Sequence, residues 1–181
     1  MAAETTPGRP ETVREDPSQE VPEPASIPGR ERVRRDAAAR DLAVEIFARK
    51  PADSLAEAAA VLGIRPADIV KSLVVKRPDD TFLFALIPGD RQISWPKLRA
   101  VLGVNRLSMP SAQVARQATG YERGTITPLG STTAWPVYAD ATITGRRISM
   151  GAGAHGYSAF VDADALTAAL GAVVADISEP S

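Results

Sequence analysis

A lysine stands inside an apolar run, Ile69-Val70-Lys71-Ser72-Leu73-Val74-Val75. The run is short and β-branched, as a core strand is. On a period of two, Lys71 shares a face with Ile69, Leu73 and Val75, while Val70 and Val74 make the other face apolar too. Lysine is rarely buried without a partner, because taking an ammonium out of water costs several kcal/mol. Lys71 therefore either stands at the mouth of a cleft, where an anion can meet it, or carries its head out to solvent.

Two glycine-rich segments could serve the same cleft. Gly120-Tyr121-Glu122-Arg123-Gly124-Thr125-Ile126-Thr127-Pro128-Leu129-Gly130 holds three glycines and a proline in eleven residues. Glycine admits positive φ and lets a ligand approach backbone amides, which can form a nest for a carbonyl or phosphate oxygen. Thr125 and Thr127 add hydroxyls. The plainer alternative is an ordinary connection, although those are usually shorter. Gly151-Ala152-Gly153-Ala154-His155-Gly156 has the spacing of a dinucleotide fingerprint, which needs a strand before it and a helix after it. The residues after Gly156, Tyr157-Ser158-Ala159-Phe160-Val161, read as a strand, so the segment is a turn between strands with amides free for a ligand. His155, the only imidazole, is either a solvated loop residue or a hydrogen-bonding group at a pocket rim. There is no G-x-S-x-G elbow, and nothing marks a serine as nucleophile. Arg123, Arg146 and Arg147 could add positive charge, or be ordinary surface residues.

Composition narrows the classes. The 181 residues allow one domain with a core, plus a tail. With 21 basic and 22 acidic residues the net charge is −1, which argues against a broad grip on a nucleic-acid backbone but permits a local basic site. No cysteine and one histidine exclude disulfides and Cys/His metal sites, so neither metal nor cofactor is expected. The apolar stretch Phe82 to Ile87 is too short for a bilayer, and the N-terminus lacks a signal-peptide core. The expectation is a cytoplasmic protein with no membrane partner.

The elements that must position these residues can be read from capping and turn chemistry. Residues 1–30 hold six of the fifteen prolines among scattered acids, a composition expected of a disordered tail. Residues 31–50 are expected to carry an N-terminal helix, strongest from Asp36 to Arg49 and stopped by Pro51. Ser54 and Glu57 form a capping box, with Glu57 reaching back to the Ser54 amide, and Gly63 closes that helix. The Lys71 strand then turns at Arg77-Pro78-Asp79-Asp80 into a strand from Thr81 to Ile87. Helices are expected at 95–102, 111–118 and 164–170. Strands are expected at 105–108, 135–139, 146–150 and 157–161, and at 173–174. The mixture lacks a regular βαβ rhythm, so the fold class is α+β: a mixed β-sheet surrounded by helices.

In this order the pieces resemble the YbaK family and the related editing domains of prolyl-tRNA synthetase. The resemblance rests on Ala58-Ala59-Ala60-Val61-Leu62-Gly63, Ile69-Val70-Lys71-Ser72-Leu73-Val74, Pro88-Gly89-Asp90, the Gly120/Gly124/Pro128/Gly130 loop and the Gly151-to-Gly156 turn. It covers about Ser54 to Leu170, and it sets an editing domain at 51–176. It implies a trans-acting deacylase of mischarged aminoacyl-tRNA. Lys71 would hold the 3′-terminal nucleotide by its phosphate, and the glycine loop, Gly124 included, would line the pocket for the aminoacyl ester. Catalysis in that family is largely substrate-assisted, which suits a sequence offering a placed cation and glycine amides but no nucleophile–base pair. The implied site comprises Lys71 and Gly124 at the reaction centre. Ser72, Gly120, Thr125, Thr127, Pro128, Gly130, Gly151, Gly153 and His155 are implied around the substrate.

The implied partner is the 3′ acceptor end of aminoacyl-tRNA. A second reading is a binding module with the editing fold but no turnover, recognising charged tRNA or an aminoacyl-tRNA synthetase. A third is hydrolysis of small aminoacyl esters outside translation. A pocket lined by Leu73, Leu83 or Met109 would favour small amino-acid side chains, and a chain starting near Arg30 is expected to keep its activity.

Overall fold

The computed structural model describes residues 27–181, so most of the expected tail, residues 1–26, lies outside the described residues. Helix α1 (Gly29–Ala39) leads into strand β1 (Glu45–Ala48). The expected helix over 31–50 is thus corrected at both ends. Asp41 takes a left-handed φ of 53° and ends the helical path. Beyond it Val44 and Ile46 pack inward while Glu45 and Phe47 are exposed, the period of two of a half-buried strand.

Helix α2 (Leu55–Leu62) begins at Ser54, whose side chain accepts from the Glu57 amide, and ends at Gly63 in the left-handed conformation. The return bond of the box goes one residue further back than expected, with Glu57 accepting from the Asp53 amide at 2.8 Å. Strands β2 (Val70–Lys76) and β3 (Phe82–Pro88) form the expected antiparallel hairpin. A short β4 (Arg91–Ile93) precedes α3 (Trp95–Leu102), which tolerates Pro96 in its first turn. In place of a strand at 105–108 there is a single bridge between Ser108 and Lys76. Ser111 then caps α4 (Ala112–Thr119). The rest is β5 (Val137–Asp140), β6 (Arg147–Gly151), β7 (Tyr157–Asp162), α5 (Ala163–Leu170), β8 (Val173–Ala175) and β9 (Ser178–Pro180).

The class is α+β, with the strands divided among three sheets rather than one: β1-β7-β6, β2-β3-β5-β8 and β4-β9. The second is mixed, since β2 and β3 are antiparallel while β5 runs parallel to both β3 and β8. Its two faces build two cores. Val70, Val74, Phe84 and Leu86 join α1, β6, β7 and α5 in the larger core through Val33, Ile148, Ala159 and Leu166. Val75, Leu83, Ala85 and Ile87 meet Ile93, Leu98 and Ile177 in the smaller one. Among the described residues no helix is long and apolar enough to cross a membrane.

Buried Asp140 ties the chain's end to the second sheet. Burial pushes its carboxyl up, but bonds from Thr142, from Ser178 and from the amides of Thr142 and Ile177 outweigh that and hold it below the usual carboxylate range.

Candidate functional site

β2 is an outer strand of the second sheet, and just before it Ile69 makes a single bridge to Ser149 of the first sheet. Between the two sheets the wall opens into a cavity of about 510 Å³. That is the size of a small-ligand site. One wall is β2 from Val70 to Val74, and facing it are Ser149 to Gly151, Tyr157 and Ser158. Ala58 and Leu62 of α2, then Met109, Pro110, Ala112 and Ala115, and Arg123, Gly124 and Ile126 of the glycine loop complete it.

The charge in that wall has one sign. Arg49, Lys71 and Arg123 line it, and no aspartate, glutamate or histidine does. Such a wall favours an anion and offers a metal ion no donor set. Lys71 pairs with Ile87, so its side chain leaves β2 on the face of the smaller core. It is half-buried, and its Nζ donates to the Arg91 carbonyl of β4. Burial lowers its pKa below the ordinary lysine value, and the Asp90 carboxylate partly opposes that. An ammonium has three donors, so one bond to Arg91 leaves two for a ligand.

The residues singled out in the sequence divide between cavity and scaffold. Lys71, Ser72, Gly124 and Gly151 line the cavity. Thr125 and Thr127 are buried, and their hydroxyls serve the loop itself. Thr125 Oγ1 donates to Glu122 O at 2.8 Å, and Thr127 Oγ1 accepts from the Leu129 amide at 3.2 Å. Pro128 and Gly130 lie against α1 on another surface, beside Arg32 and Asp36. The Gly130 amide donates to Asp36 Oδ2 at 2.8 Å, and the Gly130 carbonyl accepts from Arg32 Nε at 3.1 Å. Gly120 is the left-handed cap of α4. Gly153 touches Gly29 of α1 so closely that a Cβ on Gly29 would come within 1.9 Å of the Gly153 carbonyl oxygen. His155 is exposed outside the lining, its Nε2 3.1 Å from Glu122 Oε2.

Of the three suggested apolar lining residues, Leu73 and Met109 reach the cavity, whereas Leu83 is fully buried in the smaller core. Arg123 lines it too, while Arg146 lies 3.9 Å from Asp68 and Arg147 3.2 Å from Glu45. Sequence reasoning misses Arg49 and Tyr157. It puts Arg49 at a helix end, and the strand pattern of Val44 to Phe47 is the signal that would move it. Tyr157 has Arg30 of α1 stacked on its ring, 3.8 Å from the centroid, a pairing over a sequence distance no local pattern reveals.

An apolar cleft between two sheets with cations in its wall suits a ligand that is anionic at one end and apolar at the other. Residues 49–169 match the family model described as aminoacyl-tRNA editing domain, and the chain belongs to that family. A 102-residue stretch is 34% identical to a proline–tRNA ligase of Heliobacterium modesticaldum, covering 56% of this chain and 17% of the ligase. A 75-residue stretch is 39% identical to that of Thermosipho africanus, covering 41% of this chain and 13% of the ligase. The matched region is therefore less than a fifth of these ligases' length. Among solved structures, a chain described only as a hypothetical protein superposes with a TM-score of 0.76 at 29% identity, covering 82% of this chain and 99% of its own. Another, to which trans-editing for prolyl-tRNA synthetase is ascribed, gives a TM-score of 0.74 at 27% identity, covering 84% and 98%.

Proposed function

We propose that the chain hydrolyses the ester of mischarged aminoacyl-tRNA in trans, with Lys71 anchoring the 3′-terminal nucleotide by its phosphate. The observation that carries this is the all-cationic wall: Arg49, Lys71 and Arg123 line an otherwise largely apolar cavity that contains no carboxylate. Phosphate meets the cations, and the aminoacyl group meets part of the apolar lining. Gly124 leaves the loop backbone open beside the ester. No serine in the lining is paired with a base, and Ser72 Oγ has no hydrogen-bond partner among the described residues. Ester cleavage then depends on positioning, with the terminal ribose hydroxyl or the amino acid's own side chain assisting. The kinship with ligase editing regions and with a chain ascribed to trans-editing supports this substrate class.

A panel of mischarged tRNAs tests the reading. At least one should lose its amino acid faster with the full chain than with Lys71→Ala. If none does, the enzymatic reading fails. Tight binding of charged tRNA without turnover, lost on Lys71→Ala, would favour the binding-module reading instead, which the lack of a nucleophile–base pair in the wall also suits.

A further inference from the structure

The hydrogen bonds at the two ends of β2 fix which way every backbone group between them points. Ile69 O accepts from the Gly89 amide at 2.7 Å, and Arg77 N–H donates to Thr81 O at 2.8 Å, so odd-numbered residues bond towards β3. Lys76 exchanges both its bonds with Ser108 on the opposite side, at 2.8 and 3.2 Å. Antiparallel pairs alternate between these two orientations. Ser72 and Val74 therefore turn both N–H and C=O away from β3, towards the outer edge of the sheet, where among the described residues no further strand is paired with them. Both residues line the cavity, so this stretch of open strand edge forms part of its wall. Ser72 Oγ, buried and unpartnered among the described residues, adds a further polar group there. Polar groups on an open strand edge in a cavity wall call for a partner that no neighbouring strand supplies.

Along one edge of a strand, the C=O of one residue and the N–H of the second residue after it form an acceptor beside a donor. Adenine presents the complement on its Watson–Crick edge, the N6 amino group beside the N1 acceptor. Hypoxanthine presents the reverse. Unstacked bases are commonly read on that edge while apolar groups cover their faces, and main-chain bonding to a sheet edge is an established mode of recognition. Leu62, Met109, Ile126 and Met150 supply the apolar cover here, and Lys71 stands next to Ser72 for the phosphate. We propose that the open edge of β2 reads the terminal adenine of the tRNA, Ser72 C=O accepting from N6 and Val74 N–H donating to N1. This rests on the deacylase reading above and adds to it the group that recognises the base.

Acceptor-stem minihelices, uncharged or carrying a 3′-amide-linked alanine that cannot be hydrolysed, test the contact by binding alone. With the full chain, a terminal inosine in place of adenosine should weaken binding by about 10-fold or more, and a terminal purine riboside by about 5-fold. Val74→Pro removes the outward N–H while sparing the β2–β3 ladder, a substitution that outer strands tolerate. It should cost as much as replacing adenosine by 1-deazaadenosine, and the two losses should not add. Equal affinity for adenosine and inosine ends overturns the contact, as does additivity of the two losses or failure to bind any minihelix. Hydrolysis of the mischarged panel, measured separately, decides whether the deacylase reading falls with it.

Discussion

From Arg123 to Ile126 and from Thr127 to Gly130, the glycine loop passes through two different surroundings. The first stretch faces the cavity, where a Cβ built on Gly124 would meet only His155 Cε1, at 3.8 Å. The second is bound into the fold. Leu129 O accepts from the Tyr121 hydroxyl at 2.8 Å, and both backbone polar groups of Gly130 are taken by α1. A Cβ on Gly130 would lie 2.6 Å from the Tyr121 hydroxyl and 2.7 Å from the Arg32 backbone. Both glycines have positive φ, 90° and 72°. Glycine thus serves two ends within one loop. At Gly124 it leaves the cavity wall open, and at Gly130 it lets a helix come close.

The largest expected effect sets the cavity wall against everything else. Lys71→Ala should cut kcat/KM for a mischarged tRNA roughly 100-fold, the equivalent of about 2–3 kcal/mol for a charge-assisted contact. Thermal unfolding should be unchanged or occur at higher temperature. Burial disfavours this charge in the folded chain, so its folded pKa lies below the unfolded one and the charge opposes folding at neutral pH. Anchoring requires the protonated form, so tRNA affinity should be lost as pH rises through that lowered pKa, and Lys71→Arg should remove this alkaline loss. A variant that loses stability and activity in parallel would make Lys71 a structural residue.

Next come the two glycines, where stability and activity should separate in opposite directions. Gly130→Ala should destabilise by about 2–3 kcal/mol, from a left-handed Cβ driven into backbone and a buried hydroxyl. The fraction that folds should keep its kcat/KM. Gly124→Ala should cost only about 1 kcal/mol, since strain acts without a clash. Gly124 lines the cavity, so a side chain and a shifted backbone there should lower kcat/KM about 10-fold, roughly 1.4 kcal/mol. Equal behaviour of the two variants in denaturant titration and kinetics would dissolve the contrast.

Much of the scaffold is legible in the sequence because its signals are local. Ser54 with Gly63 marks both ends of α2 through bonds spanning a few residues, and the Lys71 hairpin announces itself by β-branched runs around Pro78-Asp79-Asp80. Val44 to Phe47 reads wrongly as helix because alanines just upstream favour one, while the packing that makes it a strand lies on β7. The site is legible in part. Lys71 is conspicuous as a charge in an apolar strand, but no local pattern states which of two glycines faces a ligand. That depends on where α1 docks, through contacts such as Arg32 to Gly130 and Gly29 to Gly153. The same contacts move the boundary of a dispensable N-terminus. Removing Gly29 with the tail would disturb the Gly151-to-Gly156 turn, whereas a cut before Ile27 leaves α1 whole.

The smallest effect belongs to His155, and its smallness is the point. The ring joins the glycine turn to the loop through Glu122, but both side chains are more than half exposed, and Arg116 approaches the same carboxylate at 3.9 Å. Exposed pairs of this kind contribute roughly 0–1 kcal/mol and are screened by salt. His155 also lies outside the cavity lining. His155→Ala should therefore change kcat/KM by about 3-fold at most, roughly 0.7 kcal/mol. Glu122→Gln should match it, and both differences should shrink in high salt. If His155→Ala instead fell as far as Lys71→Ala while Glu122→Gln stayed near wild type, the imidazole would be acting on the substrate. The division between a cavity half and a scaffold half of the loop would then need a third, catalytic member at its rim.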